Sequence, residues 1–174
     1  LPISGLNQRG KYKSAYMRKG FPAEQVNVLY KHLTQSASSI DLSSCLLQVD
    51  TYGGRINTIA PDATAIPQRS SILKLQYQAY WALEANDAAY LDWIRSFYTE
   101  MYAATGGTPN PECDPSNNVD GCYYNYPDSD LNEFGGLEAA LQLYFGNNLT
   151  RLKEVKKRWD PNNYFNSFQS IPVV

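Results

Sequence analysis

Three short stretches carry amides, a carboxylate and phenols where a solvated sheet face would ordinarily carry lysine and glutamate: Gln48, Asp50 and Tyr52; Gln76, Gln78 and Tyr80; and Tyr124 and Tyr126. Such groups hydrogen-bond at fixed geometry with little side-chain freedom lost, which suits a neutral, hydroxylated ligand. The plainer alternative is an ordinary exposed face, or one covered by the helices of another domain. An aspartate beside a tyrosine adds a reaction. A phenol, with a pKa of roughly 10, is a weak base at neutral pH. A carboxylate hydrogen-bonded to it can accept its proton or steady the network once the proton has left. The pair could then take a proton from an alcohol as the carbon gives up hydride. The sequence holds no redox-cofactor motif of its own, so the acceptor has to come from elsewhere.

Local patterning says which elements position these residues. Residues 46–52 alternate, with Leu47 and Val49 on one face and Gln48, Asp50 and Tyr52 on the other, until Gly53-Gly54 forces a turn. Residues 72–81 alternate strictly: Leu73, Leu75, Tyr77, Ala79 and Trp81 oppose Gln76, Gln78 and Tyr80. Residues 11–16 and 123–126 read as further strands, the latter stopped by Pro127, and residues 1–10 as polar and irregular. Pro22 opens a helix whose apolar stripe is Val26, Leu29, Tyr30 and Leu33. Asn86 is placed to cap a second helix, striped by Tyr90, Trp93, Ile94, Phe97 and Met101 and ended by Gly106-Gly107. Residues 137–144 and 149–159 read as two more helices, the last with basic residues at its negative end. Strands with one apolar and one polar face, interleaved with helices, give an α+β class: an antiparallel sheet with flanking helices.

Bulk properties narrow the options. The chain has 174 residues, 43% hydrophobic and 18% charged, enough for a real core in one domain or slightly more. A net charge of −2 argues against nucleic acid and anionic membranes as partners, and no apolar run approaches the length of a bilayer span. The single histidine, His32, sits on an amphipathic helix and removes most metal sites and serine-type triads. Fourteen tyrosines point to a surface that is rigid and apolar in body but hydrogen-bonding at its tips.

The carboxy-terminal third resembles a known family. Tyr123-Tyr124-Asn125-Tyr126-Pro127-Asp128-Ser129-Asp130-Leu131, Tyr144-Phe145-Gly146-Asn147-Asn148-Leu149-Thr150-Arg151-Leu152 and Trp159-Asp160-Pro161-Asn162-Asn163-Tyr164-Phe165, closing on Gln169-Ser170-Ile171-Pro172, are similar to the signature of the berberine bridge enzyme-like flavoprotein oxidases of the vanillyl-alcohol oxidase superfamily. Upstream, Gln48-Val49-Asp50-Thr51-Tyr52-Gly53-Gly54 and Leu75-Gln76-Tyr77-Gln78-Ala79-Tyr80-Trp81 resemble the fungal, secreted branch that includes the gluco- and chitooligosaccharide oxidases. The resemblance implies that residues 1–120 are part of a substrate-binding domain. Residues 121–174 would be a carboxy-terminal segment packing on an FAD-binding portion that precedes Leu1.

The roles it implies are specific. Tyr126 corresponds to the catalytic base and Asp50 to the carboxylate that activates it. Gln48, Gln76 and, less closely, Gln78 correspond to sugar-contacting amides, with Tyr52 beside them. Asn125 and Tyr123, on the opposite face from Tyr126, would help position the flavin or pack beneath it. His32 and Cys45 match neither of the family's flavin-linking residues and read as structural. The implied activity is oxidation of an alcohol, preferentially the anomeric hydroxyl of a sugar or oligosaccharide, to a lactone with O2 as acceptor. FAD would be the cofactor and the FAD-binding chain of the same oxidase the partner. A same-family oxidase of a phenolic or alkaloid metabolite and a non-catalytic carbohydrate-binding subunit are the alternatives. Arg55 and Arg69 could select an acidic substrate, although arginines on loops are more often surface contacts.

Turn-forming residues between Cys113 and Cys122 suggest a local disulfide, with Cys45 left as a buried thiol. Asn148-Leu149-Thr150 is a glycosylation sequon. Together these two features point to a secreted protein.

Overall fold

β3 (Leu73–Trp81) is the middle strand of a three-stranded antiparallel sheet, flanked by β1 (Arg9–Met17) and β2 (Cys45–Thr51). The computed structural model describes residues 8–34 and 40–174; residues 1–7 of the stretch read as irregular lie outside it, and Arg9 and Gly10 already belong to β1. The strict alternation of β3 does what its pattern dictates. Leu75, Tyr77, Ala79 and Trp81 are buried beneath α2 (Asp87–Met101), which turns Tyr90, Trp93, Ile94, Phe97, Tyr98 and Met101 onto them. Each such large side chain contributes about 1.5–3 kcal/mol by leaving water. Register then fixes the other face. Lys74 stands between Tyr16 and Asp50, Gln76 between Ser14 and Gln48, and Gln78 between Tyr12 and Leu46.

Two helical expectations need correction. α1 (Ala23–Thr34) buries Gln25 and His32, whereas Val26 and Tyr30 of the expected stripe face outward. The helix is rotated because Gln25 donates to the carbonyl of Met101 at the end of α2 (2.8 Å) and His32 stacks on Phe97. His32 Nε2 also lies 3.1 Å from Glu100, so this histidine ties two helices together, as its structural reading expects. Asn86 makes no side-chain cap; a 3-10 turn over Glu84–Asn86 leads into α2 instead.

Residues 123–126 form a turn rather than a strand. The segment before them runs along the outer edge of β1: Arg18 N–H donates to Asn118 O, Asp120 N–H to Tyr16 O, and Tyr16 N–H to Gly121 O. At Tyr123 the ladder passes to a side chain, because the Tyr123 amide donates to Ser14 Oγ (2.9 Å). Tyr126 N–H closes back on Tyr123 O, and Pro127 has no amide to continue a strand. α3 (Gly136–Phe145) and α4 (Leu149–Trp159) complete the helices. Ala140, Leu141 and Tyr144 join Ala15, Leu75 and Ile94 in one core, so the described residues before and after 120 share their packing.

Candidate active site

The polar face of the sheet collects the sequence-nominated residues around one they did not include. Asp50 Oδ2 is paired with Lys74 Nζ at 3.1 Å. The Lys74 ammonium lies 5.3 Å from the ring centroid of Tyr123 and 5.8 Å from that of Tyr126. Burial works against this charge, but the hydrogen bond to Asp50 and the proximity of Tyr126 outweigh it and hold Lys74 above the usual lysine range. Asp50 pairs with Lys74 and Gln48, and the Lys74 ammonium in turn faces the Tyr126 ring. Lys74 was legible in principle: one further step of the alternation that selects Gln76 and Gln78 reaches it.

Asp50 also anchors a ladder of amides. Gln48 Nε2 donates to Asp50 Oδ1 (2.9 Å), Gln78 Nε2 donates to Gln48 Oε1 (3.2 Å), and the Tyr80 hydroxyl donates to Gln78 Oε1 (2.8 Å). The hydrogen bond from Gln48, then that from Lys74, keeps Asp50 below the ordinary carboxylate range, so the ladder ends on a fixed negative charge. Each amide spends one N–H and one lone pair on it; Gln48 is exposed, whereas Gln78 is buried. Gln76 lies in the same row as Gln48 and takes no part in the ladder. Tyr52 meets Tyr16 edge-on at 4.9 Å, closing the row beside Lys74.

The tyrosine turn departs from its expected facing. Tyr123 and Tyr126 stand on the same side, ring centroids 5.0 Å apart and nearly perpendicular, and Asn125 Nδ2 donates to the Tyr123 hydroxyl (2.8 Å). Tyr124, expected beside Tyr126, packs inward on Phe145 and Tyr144. The reason is the turn itself, which abandons the period of two that the strand reading assumed.

Cys113 and Cys122 do not form the expected disulfide; both thiols are free. Cys122 is buried against the Tyr98 hydroxyl (3.4 Å), whereas Cys113 is exposed and contacts Asn110. The loop between them is closed by Asp114, whose carboxylate accepts from the amides of Ser116, Asn118 and Val119. Asn148 Nδ2, the atom a glycan would occupy, donates to the carbonyls of Pro61 (2.7 Å) and Thr64 (3.0 Å). A cavity of about 1110 Å³, lined among others by Gln68, Arg69 and Asn147, contains neither Asp50, Lys74 nor Tyr126. Asp50, Lys74 and Tyr126 are partly exposed on the polar face of the sheet instead, where Gln76 and Gln78 are buried.

Comparison with known proteins identifies a family domain. The model described as "Berberine and berberine like" matches residues 122–172. Hexose oxidase from Chondrus crispus is 52% identical over 177 residues, an alignment covering 98% of this chain and 32% of the relative. Residues 122–172 thus form a berberine bridge enzyme-like domain. The crystal structure of CrmK, a flavoenzyme of the shunt product recycling mechanism in caerulomycin biosynthesis, superposes with a TM-score of 0.86 at 36% identity, covering 99% of this chain and 34% of CrmK. A glycopeptide hexose oxidase, DBV29, complexed with teicoplanin gives a TM-score of 0.81 at 37% identity, covering 94% of this chain and 32% of that one. The chain thus spans about a third of the length of these relatives. The family's oxidases are FAD-dependent. The residues present fit such a group: Asn125 is exposed, and with Tyr123 and Tyr126 it projects from the polar face rather than into the core.

Proposed function

We propose that this chain is the substrate-facing part of an FAD-dependent oxidase acting on the anomeric hydroxyl of a hexose or short oligosaccharide. The observation that carries the reading is the juxtaposition of Tyr126 with the Lys74–Asp50 pair on a face otherwise built of amides and phenols. The likeness to hexose oxidase and to the glycopeptide hexose oxidase supports a sugar as the oxidised group. When bound, FAD supplies the acceptor for two electrons and passes them to O2, giving hydrogen peroxide.

The chain's own residues do the rest. The Tyr126 oxygen takes the proton of the reacting hydroxyl. Lys74 places a positive charge near the Tyr126 ring, which favours the phenolate that accepts this proton, and Asp50 keeps Lys74 in position. Gln76 and the unused N–H and lone pair of Gln48 orient neighbouring ring hydroxyls. Because Gln48 is already fixed by the ladder, little ordering cost falls on that side chain at binding. The product at an anomeric carbon is a lactone.

The test is to supply the full-length, FAD-loaded polypeptide with hexoses and their dimers, measuring peroxide and identifying the product by mass. Sugar-dependent peroxide with loss of two hydrogens, abolished by Tyr126→Phe, supports the reading. Peroxide with no sugar tested overturns it. The likeness to CrmK favours a second reading, oxidation of a secondary metabolite, which the same assay would show as activity on phenolic or glycosylated aromatic alcohols alone.

A further inference from the structure

The turn carrying Tyr126 has no regular secondary structure, yet its exit is held by a dense cluster of buried charge. The Asp128 carboxylate receives Lys11 Nζ at 2.6 Å and Lys13 Nζ at 2.7 Å. Asp130 receives Lys13 at 2.8 Å and both Nε and Nη2 of Arg95 at 3.0 Å. Asp128 and Lys13 are each only 2% exposed. The Asp128 backbone is held as well: its N–H donates to the Tyr144 hydroxyl (3.0 Å), and its carbonyl accepts from Gln169 Nε2 (2.8 Å). Burying ions costs several kcal/mol each in desolvation, and hydrophobic replacements often stabilise a fold equally well. Stability alone is therefore a weak reason for this cluster. Its location supplies a better one.

On β1, Ser14 shares the polar face with Gln76, and Lys11 and Lys13 alternate onto the helix side with Ala79 and Tyr77. The Tyr123 amide is fixed to Ser14 on the first face, and Asp128 is fixed to Lys13 on the second. The chain between these anchors crosses the edge of β1, and Tyr126 lies within the crossing.

We propose that Lys11, Lys13 and Asp128 are positioning residues for the reaction: they anchor the far end of the turn and so hold the Tyr126 oxygen at its working distance from Lys74 and the substrate. This rests on Tyr126 being the base. Misplacing a reacting group by about 1 Å can cost on the order of 100-fold in rate without weakening binding.

The test uses the full-length, FAD-loaded polypeptide and follows flavin bleaching by stopped flow without oxygen. The variants are Lys13→Met/Asp128→Asn, which removes both ions together, and Lys11→Met, which leaves Asp128 one cation. The limiting rate of flavin reduction is expected to fall at least ~10-fold in the first and ~3-fold in the second, with substrate Kd within ~2-fold and the flavin spectrum retained. If the double variant does not fold, Lys11→Met decides by the same criteria. Limiting rates within ~2-fold of the parent, or losses that appear in Kd instead, overturn the proposal. Tyr126→Phe is measured alongside. If it is fully active, the assignment of the base fails and the positioning role with it; if it is inactive while both anchors are dispensable, only the positioning role fails.

Discussion

Replacing Lys74 with methionine keeps the length and apolar stem of the side chain and deletes one charge. The ammonium lies 5.8 Å from the Tyr126 ring centroid. At an effective dielectric of ~20, that separation gives a phenolate about 3 kcal/mol of attraction. The Lys74 side chain is 21% exposed, so water screens part of this, leaving about 1.5–3 kcal/mol or roughly a ten- to hundred-fold loss in rate. The loss should appear in the limiting rate of flavin reduction, since the cation favours the phenolate form of Tyr126 that accepts the substrate's proton. Asp50 provides the decisive comparison. Because it holds Lys74 rather than Tyr126, Asp50→Asn should slow the parent enzyme by about ten-fold but cost nothing further in the Lys74→Met background, where an unpaired carboxylate would only repel the phenolate. If Lys74→Met retained more than about a third of the parent rate while Asp50→Asn lost about a hundred-fold, the intermediary role given to Lys74 would be wrong and the carboxylate would act on the phenol directly.

Three further outcomes are expected. Gly121→Ala would place a Cβ 2.1 Å from the carbonyl oxygen of Leu143 at a φ of +81°, so it should cost about 2–4 kcal/mol, read as a drop in Tm of several degrees. Under native conditions an alkylating reagent should modify Cys113 and spare Cys122, whose thiol burial pushes up to about 12, and a non-reducing peptide map should show no bond between them. Burial alone would raise Asp130, but the hydrogen bonds from Arg95 and then Lys13 bring it well below the ordinary 3.8. Its contribution is therefore whole above about pH 4 and lost as pH falls further, so Tm measured from pH 7 to pH 3 should drop at the acid end, less steeply in Asp130→Asn.

The elements whose period is enforced by burial were legible in the sequence. Leu75, Tyr77 and Ala79 alternate because α2 covers them, and the same alternation places Gln76, Gln78 and Tyr80 opposite. Register across strands was not legible. The placing of Lys74 between Asp50 and Tyr16 comes from hydrogen bonding between segments far apart in sequence, and the residues of one strand do not contain it. The tyrosine turn misled for a related reason. Aromatic runs favour strands on average, but here Ser14 takes the amide that a neighbouring strand would have taken. On α1 the apolar count pointed to Val26 and Tyr30, whereas specific partners for Gln25 and His32 decided which side faces inward. The cysteine loop offered turn residues at both ends, and a single carboxylate, Asp114, was sufficient to close it.

The segment along the outer edge of β1 has a second consequence. A strand at the border of a sheet presents unpaired amides and carbonyls that invite pairing with another chain. Here residues 118–123 occupy them, through Arg18, Tyr16 and Ser14, and the charge cluster fastens the chain again at Asp128 and Asp130. The covering that protects this border is thus the same stretch that delivers Tyr126. Loosening it should expose a self-associating edge as well as displace the tyrosine, so variants that weaken the anchor are expected to lose solubility and turnover together, and the two properties would be constrained by the same few residues.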